Sequence, residues 1–267
     1  MSGDEDLAQR LLQAARERVP LSRDQGDRLS LASGYALQRL GLQAREACLE
    51  NLSGWKVAFA NAAAQRRFGL SEPVYGVLTD AMELTEGRMV DLSLLIQPKL
   101  EVEMAMILGN DLGPGFHSDE ELISAIAEVA PAFEIADCRW QGWHFDAGAF
   151  LADNAAAALY RIGPGQAFDA ERHGVVSYRL AHDGETLAQG DSGGRADTPL
   201  VNLCWLLRRL LADGQPLRAG QAVLSGSLLA PLDIEPGEYR LQMLDMELAL
   251  AFEQRHDSRV TGTSPRP

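Results

Sequence analysis

Residues 99–108 read Lys99-Leu100-Glu101-Val102-Glu103-Met104-Ala105-Met106-Ile107-Leu108, and this alternation predicts a β-strand. The long apolar side chains fall on one face of that strand: Leu100, Val102, Met104, Met106 and Leu108. The opposite face carries Glu101 and Glu103, whose Cα atoms would lie roughly 6 to 7 Å apart. Two carboxylates this close repel each other, which favours a cation between them. The ordinary alternative is an exposed strand face that happens to carry two glutamates.

A third carboxylate interrupts a second apolar run, Pro131-Ala132-Phe133-Glu134-Ile135-Ala136-Asp137. Glu134 stands where a buried strand would otherwise carry an apolar side chain. Three carboxylates without a His or Cys at metal-ligand spacing are typical of a site for a hard cation. The pattern therefore predicts Mg²⁺ or Mn²⁺, with positions left for water or substrate, and disfavours zinc.

Composition limits the classes of partner. The 267 residues carry 24 Lys and Arg against 38 Asp and Glu, so a net charge of -14 argues against nucleic acid and anionic membranes as partners. The three cysteines, Cys48, Cys138 and Cys204, fit neither a disulfide framework nor a zinc site. No stretch approaches the ~20 apolar residues of a membrane span. We expect a cytoplasmic protein that does not bind a membrane.

The coarse pattern predicts an α+β protein. Helices are expected over 5–18, over 22–49 with a cap at Ser30 or Ser33 and a break at Gly41, over 118–129 and over 199–213. Strands are expected over 55–59, 74–78, 99–108, 132–136 and 155–162, and again after Gly220 and Gly237. This divides the chain into a helical N-terminal segment (1–52), a sheet-rich domain (53–255) and a flexible tail (256–267).

Several segments occur in an order that resembles a known family. They are Gly54-Trp55-Lys56-Val57, Pro73-Val74-Tyr75-Gly76-Val77-Leu78, Gln97-Pro98 with the strand after it, the run from Pro131 to Asp137, Ala152-Asp153-Asn154 and Leu217-Arg218-Ala219-Gly220. Together they resemble the 2-keto-4-pentenoate hydratase and 4-oxalocrotonate decarboxylase family of the fumarylacetoacetate hydrolase superfamily. The similarity runs from about Leu29 to Phe252, so the expected catalytic domain is residues 53–255.

The resemblance implies a mixed sheet curled into an irregular barrel, a 2-oxo acid substrate and a homo-oligomer. It also implies that Glu101, Glu103 and Glu134 hold Mg²⁺ or Mn²⁺ and that Lys56 is the active-site lysine. The apolar neighbours of Lys56 would lower its pKa and suit it to proton transfer, although a surface lysine is the alternative. Asp80 is a candidate second acid or base, or simply a turn residue. Asn61, Gln97 and Asn154 are candidate substrate-binding residues, with an Asx turn as the alternative for Asn154.

A 2-oxo acid can chelate one metal ion through its carboxylate and keto oxygens, which draws electron density towards the keto group. If C3 and C4 share a double bond, water can then add at C4. If a carboxylate hangs at C5, the same electron sink accepts the electrons released with CO₂. We therefore expect a hydratase for 2-hydroxypenta-2,4-dienoate or a homologue, as in aromatic-compound degradation, with a vinylogous decarboxylase as the alternative.

Three positions depart from the pattern of the family. Asn61 lies where glycine and small hydroxylated residues are common, Ala156 replaces a serine, and Thr198 replaces the histidine of a Gly-His-Pro sequence. These changes remove hydrogen-bonding groups from the expected site, whereas the three glutamates remain. They leave open a third hypothesis, a non-catalytic partner or scaffold subunit of the same fold.

Overall fold

The computed structural model describes residues 3–255. Its α-helices are α1 (Gly3–Glu17), α2 (Leu31–Glu46), α3 (Ala62–Phe68), α4 (Asp119–Ser124), α5 (Ala147–Ala152), α6 (Ala170–His173) and α7 (Pro199–Ala212). Its strands are β1 (Leu52–Ala58), β2 (Val74–Thr79), β3 (Val90–Asp91), β4 (Pro98–Leu108), β5 (Ile126–Asp137), β6 (Ala157–Ile162), β7 (Gln166–Ala167), β8 (Ser177–His182), β9 (Glu185–Asp191), β10 (Ala222–Leu224), β11 (Leu232–Asp233), β12 (Gly237–Met243) and β13 (Met246–Glu253). Helices packed against sheets confirm the α+β class.

The strands form two mixed sheets. The larger has the order β2-β1-β10-β4-β5-β6, with β11 beside β4 and β7 beside β5; the smaller has the order β3-β13-β12-β8-β9. Most neighbours are antiparallel, but β1 runs parallel to β10 and β13 runs parallel to β3. The expected mixed, curled sheet is therefore present as two sheets and not as a closed barrel.

Strand β4 lies near the centre of the larger sheet, and its two faces differ as the alternation predicts. The apolar face, from Leu100 to Leu108, is at most 1% exposed and belongs to the main hydrophobic core. Helix α7 adds Leu203, Leu206, Leu207 and Leu210 to the same core. Burial of this face orients the sheet, so that Glu101 and Glu103 must point away from the core.

The N-terminal helices pack against the sheet-rich part. The Ser30 side chain accepts a hydrogen bond from the backbone N–H of Ser33, which starts α2 at the expected cap. Further along, α2 approaches α5 so closely that a Cβ on Gly34 would lie 2.4 Å from the backbone oxygen of Gly148. Any larger residue at Gly34 would push the two helices apart.

Two predicted boundaries are wrong. Gly41 does not break α2, which continues to Glu46 because its neighbours are good helix formers. The helix predicted over 118–129 starts at the capping box of Ser118 and Glu121 but ends at Ser124. From Ile126 onwards the chain pairs with β4, since Ile126 is opposite Leu108, and sheet pairing outweighs the local helical preference. The tail predicted over 256–267 lies outside the described residues.

None of the helices described in residues 3–255 has the length and apolar character needed to cross a membrane.

Candidate active site

The pairing of β4 with β5 brings the three glutamates together. Glu101 lies directly opposite Glu134, and Glu103 lies two residues further along β4, opposite Ala132. Each of the three offers one carboxylate oxygen, and these oxygens all lie within 4.8 Å of one another. Two carboxylates from one strand and one from its neighbour thus form the acidic cluster (Glu101, Glu103 and Glu134).

Lys56 reaches this cluster from three strands away. It lies on β1, which is separated from β5 by β10 and β4, yet its Nζ is 2.8 Å from Oε1 of Glu134. Strands in a flat sheet are spaced about 4.8 Å apart, so three spacings exceed what these two side chains can bridge comfortably. The sheet must therefore curl, and Lys56 and the acidic cluster lie on its concave face.

Burial makes these charges unusual. Glu103 and Glu134 are fully buried, Lys56 is 2% exposed, and Glu101 is half-buried. Oε2 of Glu103 accepts a 2.7 Å hydrogen bond from the backbone N–H of Gly226. Oε1 of Glu103 and Oε2 of Glu134 have no hydrogen-bond partner among the described residues. Buried carboxylate oxygens left without donors are costly, and a bound cation would satisfy them.

Burial and mutual repulsion change the proton affinity of the cluster. Burial, with help from Glu134, raises the pKa of Glu101 to about 7, and the same causes raise the pKa of Glu103 well above its ordinary range. Burial lowers the pKa of Lys56, as expected, but the neighbouring glutamates outweigh it and the net shift is upward. The predicted lowering of the lysine pKa is therefore wrong, because the sequence could not show that a carboxylate contacts Nζ.

A turn that sequence reasoning missed completes the cluster. After β10 the chain turns at Gly226, whose φ of +90° is unfavourable for other residues. This turn aims the Gly226 N–H at Glu103, and the buried Asn202 donates a 2.8 Å hydrogen bond to the backbone oxygen of Ser225. The Ser-Gly-Ser run at 225–227, directly after a short apolar strand, is the signal that could have indicated the turn.

Aromatic side chains border Lys56. The Phe150 ring centroid lies 6.0 Å from Nζ, and Phe150 stacks on Phe59, which follows Lys56 by three residues. Next to the charged groups, the same face of β4 and β5 carries three small buried side chains: Ala105, Ala130 and Ala132.

Of the predicted site residues, Asp80 lies away from the cluster and Asn61 is part of a helix cap. Asp80 follows β2 and lies four residues beyond Gly76, the partner of Lys56, which places it about 13 Å further along the sheet. It is exposed, and hydrogen bonds from Asn51 lower its pKa, so it is not poised for proton transfer near the glutamates. Asn61 caps helix α3, since its Oδ1 accepts a 2.8 Å hydrogen bond from the N–H of Ala64.

Two further candidates have amides that are already engaged. The Nε2 of Gln97 donates to the backbone oxygens of Cys138 and Trp140, and its Oε1 accepts from the N–H of Gly142. Asn154 binds the backbone of Val77 twice, through Oδ1 at 2.8 Å and Nδ2 at 2.9 Å. Both side chains hold neighbouring backbone in place, and their role in substrate binding stays a prediction.

The departures from the family pattern also have structural roles. Thr198 accepts a hydrogen bond from the N–H of Val201 and caps α7. Ala156 is fully buried with a φ of +57°, in a left-handed run that starts at Asn154.

Comparisons with known proteins agree with this fold. No protein-family model matches the chain. It is 31% identical over 240 residues to the 2-keto-4-pentenoate hydratase of Paraburkholderia xenovorans (strain LB400), covering 88% of both chains. It is 34% identical over 225 residues to a 2-hydroxyhexa-2,4-dienoate hydratase of Comamonas testosteroni, covering 83% of this chain and 84% of the relative. The 4-oxalocrotonate decarboxylase from Pseudomonas putida G7, complexed with magnesium and adipate, superposes with a TM-score of 0.87 at 23% identity, covering 94% of this chain and 97% of that structure.

A fumarylacetoacetate hydrolase family protein from Yersinia pestis CO92 has a similar fold, with a TM-score of 0.54 at 17% identity, covering 74% of this chain and 92% of that structure. Identity above 30% along most of both sequences shows that the chain belongs to the family of 2-keto-4-pentenoate hydratases.

Proposed function

We propose that this protein is a hydratase that depends on Mg²⁺ or Mn²⁺ and adds water to 2-hydroxypenta-2,4-dienoate or a longer homologue. The relatives at 31% and 34% identity carry hydratase names, and the neighbour named as a decarboxylase was solved with magnesium. The observation that carries the proposal is the acidic cluster, with three carboxylate oxygens within 4.8 Å of one another beside a buried lysine.

Glu101, Glu103 and Glu134 would hold the ion. Their oxygen donors suit Mg²⁺ or Mn²⁺, and the partnerless oxygens of Glu103 and Glu134 are the atoms that a cation would engage. A divalent ion there would act as a Lewis acid towards the keto oxygen of a 2-oxo acid. The Gly226 N–H keeps one oxygen of Glu103 fixed, so the carboxylate keeps its direction.

Lys56 would bind the substrate and move a proton. Its Nζ carries a positive charge while Glu134 stays at 2.8 Å, which attracts a carboxylate substrate into a protein of net charge -14. When Glu134 is shared with another cation, Lys56 loses part of this support, and burial then lowers its pKa relative to the state without that cation. In that state Nζ can donate a proton to the dienoate and take one from the attacking water.

Vinylogous decarboxylation is less well supported. The neighbour with that name is 23% identical, a level of likeness that supports the shared fold alone. The assembled cluster also weakens the hypothesis of a non-catalytic partner, because buried unsatisfied carboxylates cost stability without a ligand. Measuring CO₂ release from 2-oxo-3-hexenedioate beside the hydration assay separates these functions.

The direct test follows the ultraviolet absorbance of 2-hydroxypenta-2,4-dienoate with purified protein and Mg²⁺. We expect a loss of absorbance that stops with a chelator and returns with Mg²⁺ or Mn²⁺. Lys56→Met should lower kcat by about 10² or more, the usual contribution of proton transfer. Lys99→Met is the matched control, since Lys99 pairs with Asp233 outside the cluster. No metal-dependent loss of absorbance would reject the hydratase.

We also propose that the protein acts in the cytoplasm as a homo-oligomer with a helical N-terminal segment over 1–52 and a catalytic domain over 53–255. Light scattering on the purified protein would measure the oligomer, and a single subunit mass would contradict it.

A further inference from the structure

Four stacked phenylalanines lie beside Lys56, and we refer to them as the phenylalanine cluster (Phe59, Phe68, Phe145 and Phe150). The ring centroid of Phe59 lies 4.4 Å from that of Phe68 and 4.4 Å from that of Phe150. Phe145 closes the cycle at 5.6 Å from Phe68 and 5.0 Å from Phe150. Three separate segments of the chain therefore converge on one aromatic surface.

The cluster connects the charged site with the outside of the protein. Phe150 is buried and borders the Lys56 ammonium, whereas Phe59, Phe68 and Phe145 are half-buried. Phe59 and Phe145 pack against the main hydrophobic core yet keep part of their surface exposed, so the cluster offers aromatic area to a ligand next to Phe150.

The backbone at Phe59 is held in an unusual conformation. Its φ of +53° is left-handed, which is uncommon for a bulky residue. The Gln65 side chain donates hydrogen bonds to the backbone oxygens of Phe59 and Ala60, at 3.0 and 2.9 Å, and fixes this turn. Strained residues held by their surroundings concentrate at ligand sites, and this turn places the Phe59 ring against Phe150.

We propose that the phenylalanine cluster binds the end of the substrate remote from the oxo acid, and that this end is an alkyl or aryl group. This inference rests on the proposed function, because it places the oxo acid at the acidic cluster and Lys56. An apolar tail gains free energy on aromatic surface, whereas a carboxylate there would lose its hydration. The specificity would thus be for 2-hydroxydienoates with an apolar group at C5.

Arg67 is the feature that could favour the opposite specificity. Its guanidinium lies 5.5 Å from the Phe68 centroid, and the side chain is exposed. A dicarboxylate whose tail reached Arg67 would therefore compete with an apolar tail. We favour the apolar tail because Phe150 borders the site directly and stacks with the rest of the phenylalanine cluster, while the Arg67 side chain is exposed to water.

The test measures kcat/KM for 2-hydroxydienoates that end in hydrogen, methyl, propyl, phenyl or carboxylate. Each buried methylene should increase kcat/KM roughly fourfold. Phe68→Leu and Phe68→Ala should reduce the preference for propyl over hydrogen by up to tenfold. Phe116→Leu and Phe116→Ala are matched controls on a side chain that is 89% exposed, and they should not change it. A ratio of two rates is independent of how much of each variant folds.

Binding of saturated 2-oxo acids, measured by calorimetry with Mg²⁺, separates the two proposals. Suppose that 2-oxooctanoate binds more tightly than 2-oxobutanoate but that no 2-hydroxydienoate is turned over. That result would reject the hydratase and support the apolar-tail site. Turnover without a dependence on tail length, or with ratios unchanged in the Phe68 variants, would overturn the apolar-tail site alone. A preferred carboxylate tail that is lost in Arg67→Ala would also overturn it.

Discussion

Strand β5 contributes to two buried charge clusters, and they differ in how their charges are satisfied. Glu134 joins the acidic cluster on one face, where two buried carboxylate oxygens have no hydrogen-bond partner among the described residues. Two residues beyond the C-terminal end of β5, Arg139 forms a buried ion pair with Asp153. Its guanidinium also donates to the backbone oxygens of Asp137, Ala157 and Asp153.

The difference separates a structural role from a ligand-binding one. In the Arg139–Asp153 pair each charge faces its opposite and the remaining donors find carbonyls, so nothing further is needed. In the acidic cluster three carboxylates face one lysine, and the excess negative charge lacks a partner. The first arrangement holds loops together, while the second becomes favourable when a cation binds.

The largest expected effect is on activity in the acidic cluster. Glu103→Gln keeps an oxygen for the Gly226 N–H but removes the charge, so it should lower kcat/KM by about 10³, equivalent to several kcal/mol of lost metal binding and catalysis. Without metal the variant should be at least as stable as wild type, because carboxylate repulsion is relieved. Steady-state kinetics and urea unfolding measure both. A variant as active as wild type would remove Glu103 from the site.

Asp153→Ala should show the reverse pattern. Removing the carboxylate leaves the Arg139 charge buried without its partner, and the free energy of unfolding should fall by about 3–5 kcal/mol. The rate per folded molecule should change little, as should Mg²⁺ affinity. Urea unfolding curves measure the loss of stability. The rate divided by the folded fraction, together with a Mg²⁺ titration, checks that activity and metal affinity are unchanged. A loss of rate without a loss of stability would mean that the two clusters are functionally coupled.

The two clusters also predict a pH dependence. The raised pKa values of Glu101, about 7, and Asp153, about 6, mean that the folded state binds more protons than the unfolded state above their ordinary values of 4.5 and 3.8. Metal-free stability should therefore fall as pH rises, between about pH 4.5 and 7 for Glu101 and between about pH 3.8 and 6 for Asp153.

Mg²⁺ distinguishes the two contributions. Because the ion needs deprotonated carboxylates, its stabilising effect should grow as pH rises towards and beyond 7. Glu101→Gln should reduce this growth, with Glu103 accounting for what remains, whereas Asp153→Asn should leave it unchanged. Thermal unfolding at several pH values, with and without Mg²⁺, measures both, and a metal effect independent of pH would contradict the account.

The smallest effect concerns Gln97, which the sequence assigned to substrate binding. Its amide makes three hydrogen bonds to the backbone over residues 138–142, so Gln97→Ala should cost about 1–3 kcal/mol of stability. KM should stay at the wild-type value, since the amide does not reach the acidic cluster. A raised KM at unchanged stability would restore the original prediction.

The sequence predicted those parts of the site that depend on periodicity. Alternation along residues 99–108 placed Glu101 and Glu103 on one face, and the interruption at Glu134 indicated a buried charge. It could not give the register that sets Glu134 opposite Glu101, nor the curl that brings Lys56 across three strands. Both depend on pairing between segments far apart in the chain.

The hydrogen bonds of polar residues near the predicted motifs could not be predicted for a different reason. Asn61, Gln97 and Asn154 have side chains that can bind either a substrate or nearby backbone groups, and the structure shows that they cap a helix or hold loops. A single sequence does not reveal which backbone groups lack partners. The Gly226 N–H was missed because its importance comes from the turn it occupies.

The central claim is that three glutamates on neighbouring strands hold one divalent ion. A crystal soaked with Mn²⁺ would locate the metal by its anomalous scattering. The account predicts one strong peak about 2.0–2.2 Å from an oxygen each of Glu101, Glu103 and Glu134. A cluster that stays empty at saturating Mn²⁺, or a peak held by other residues, would contradict it.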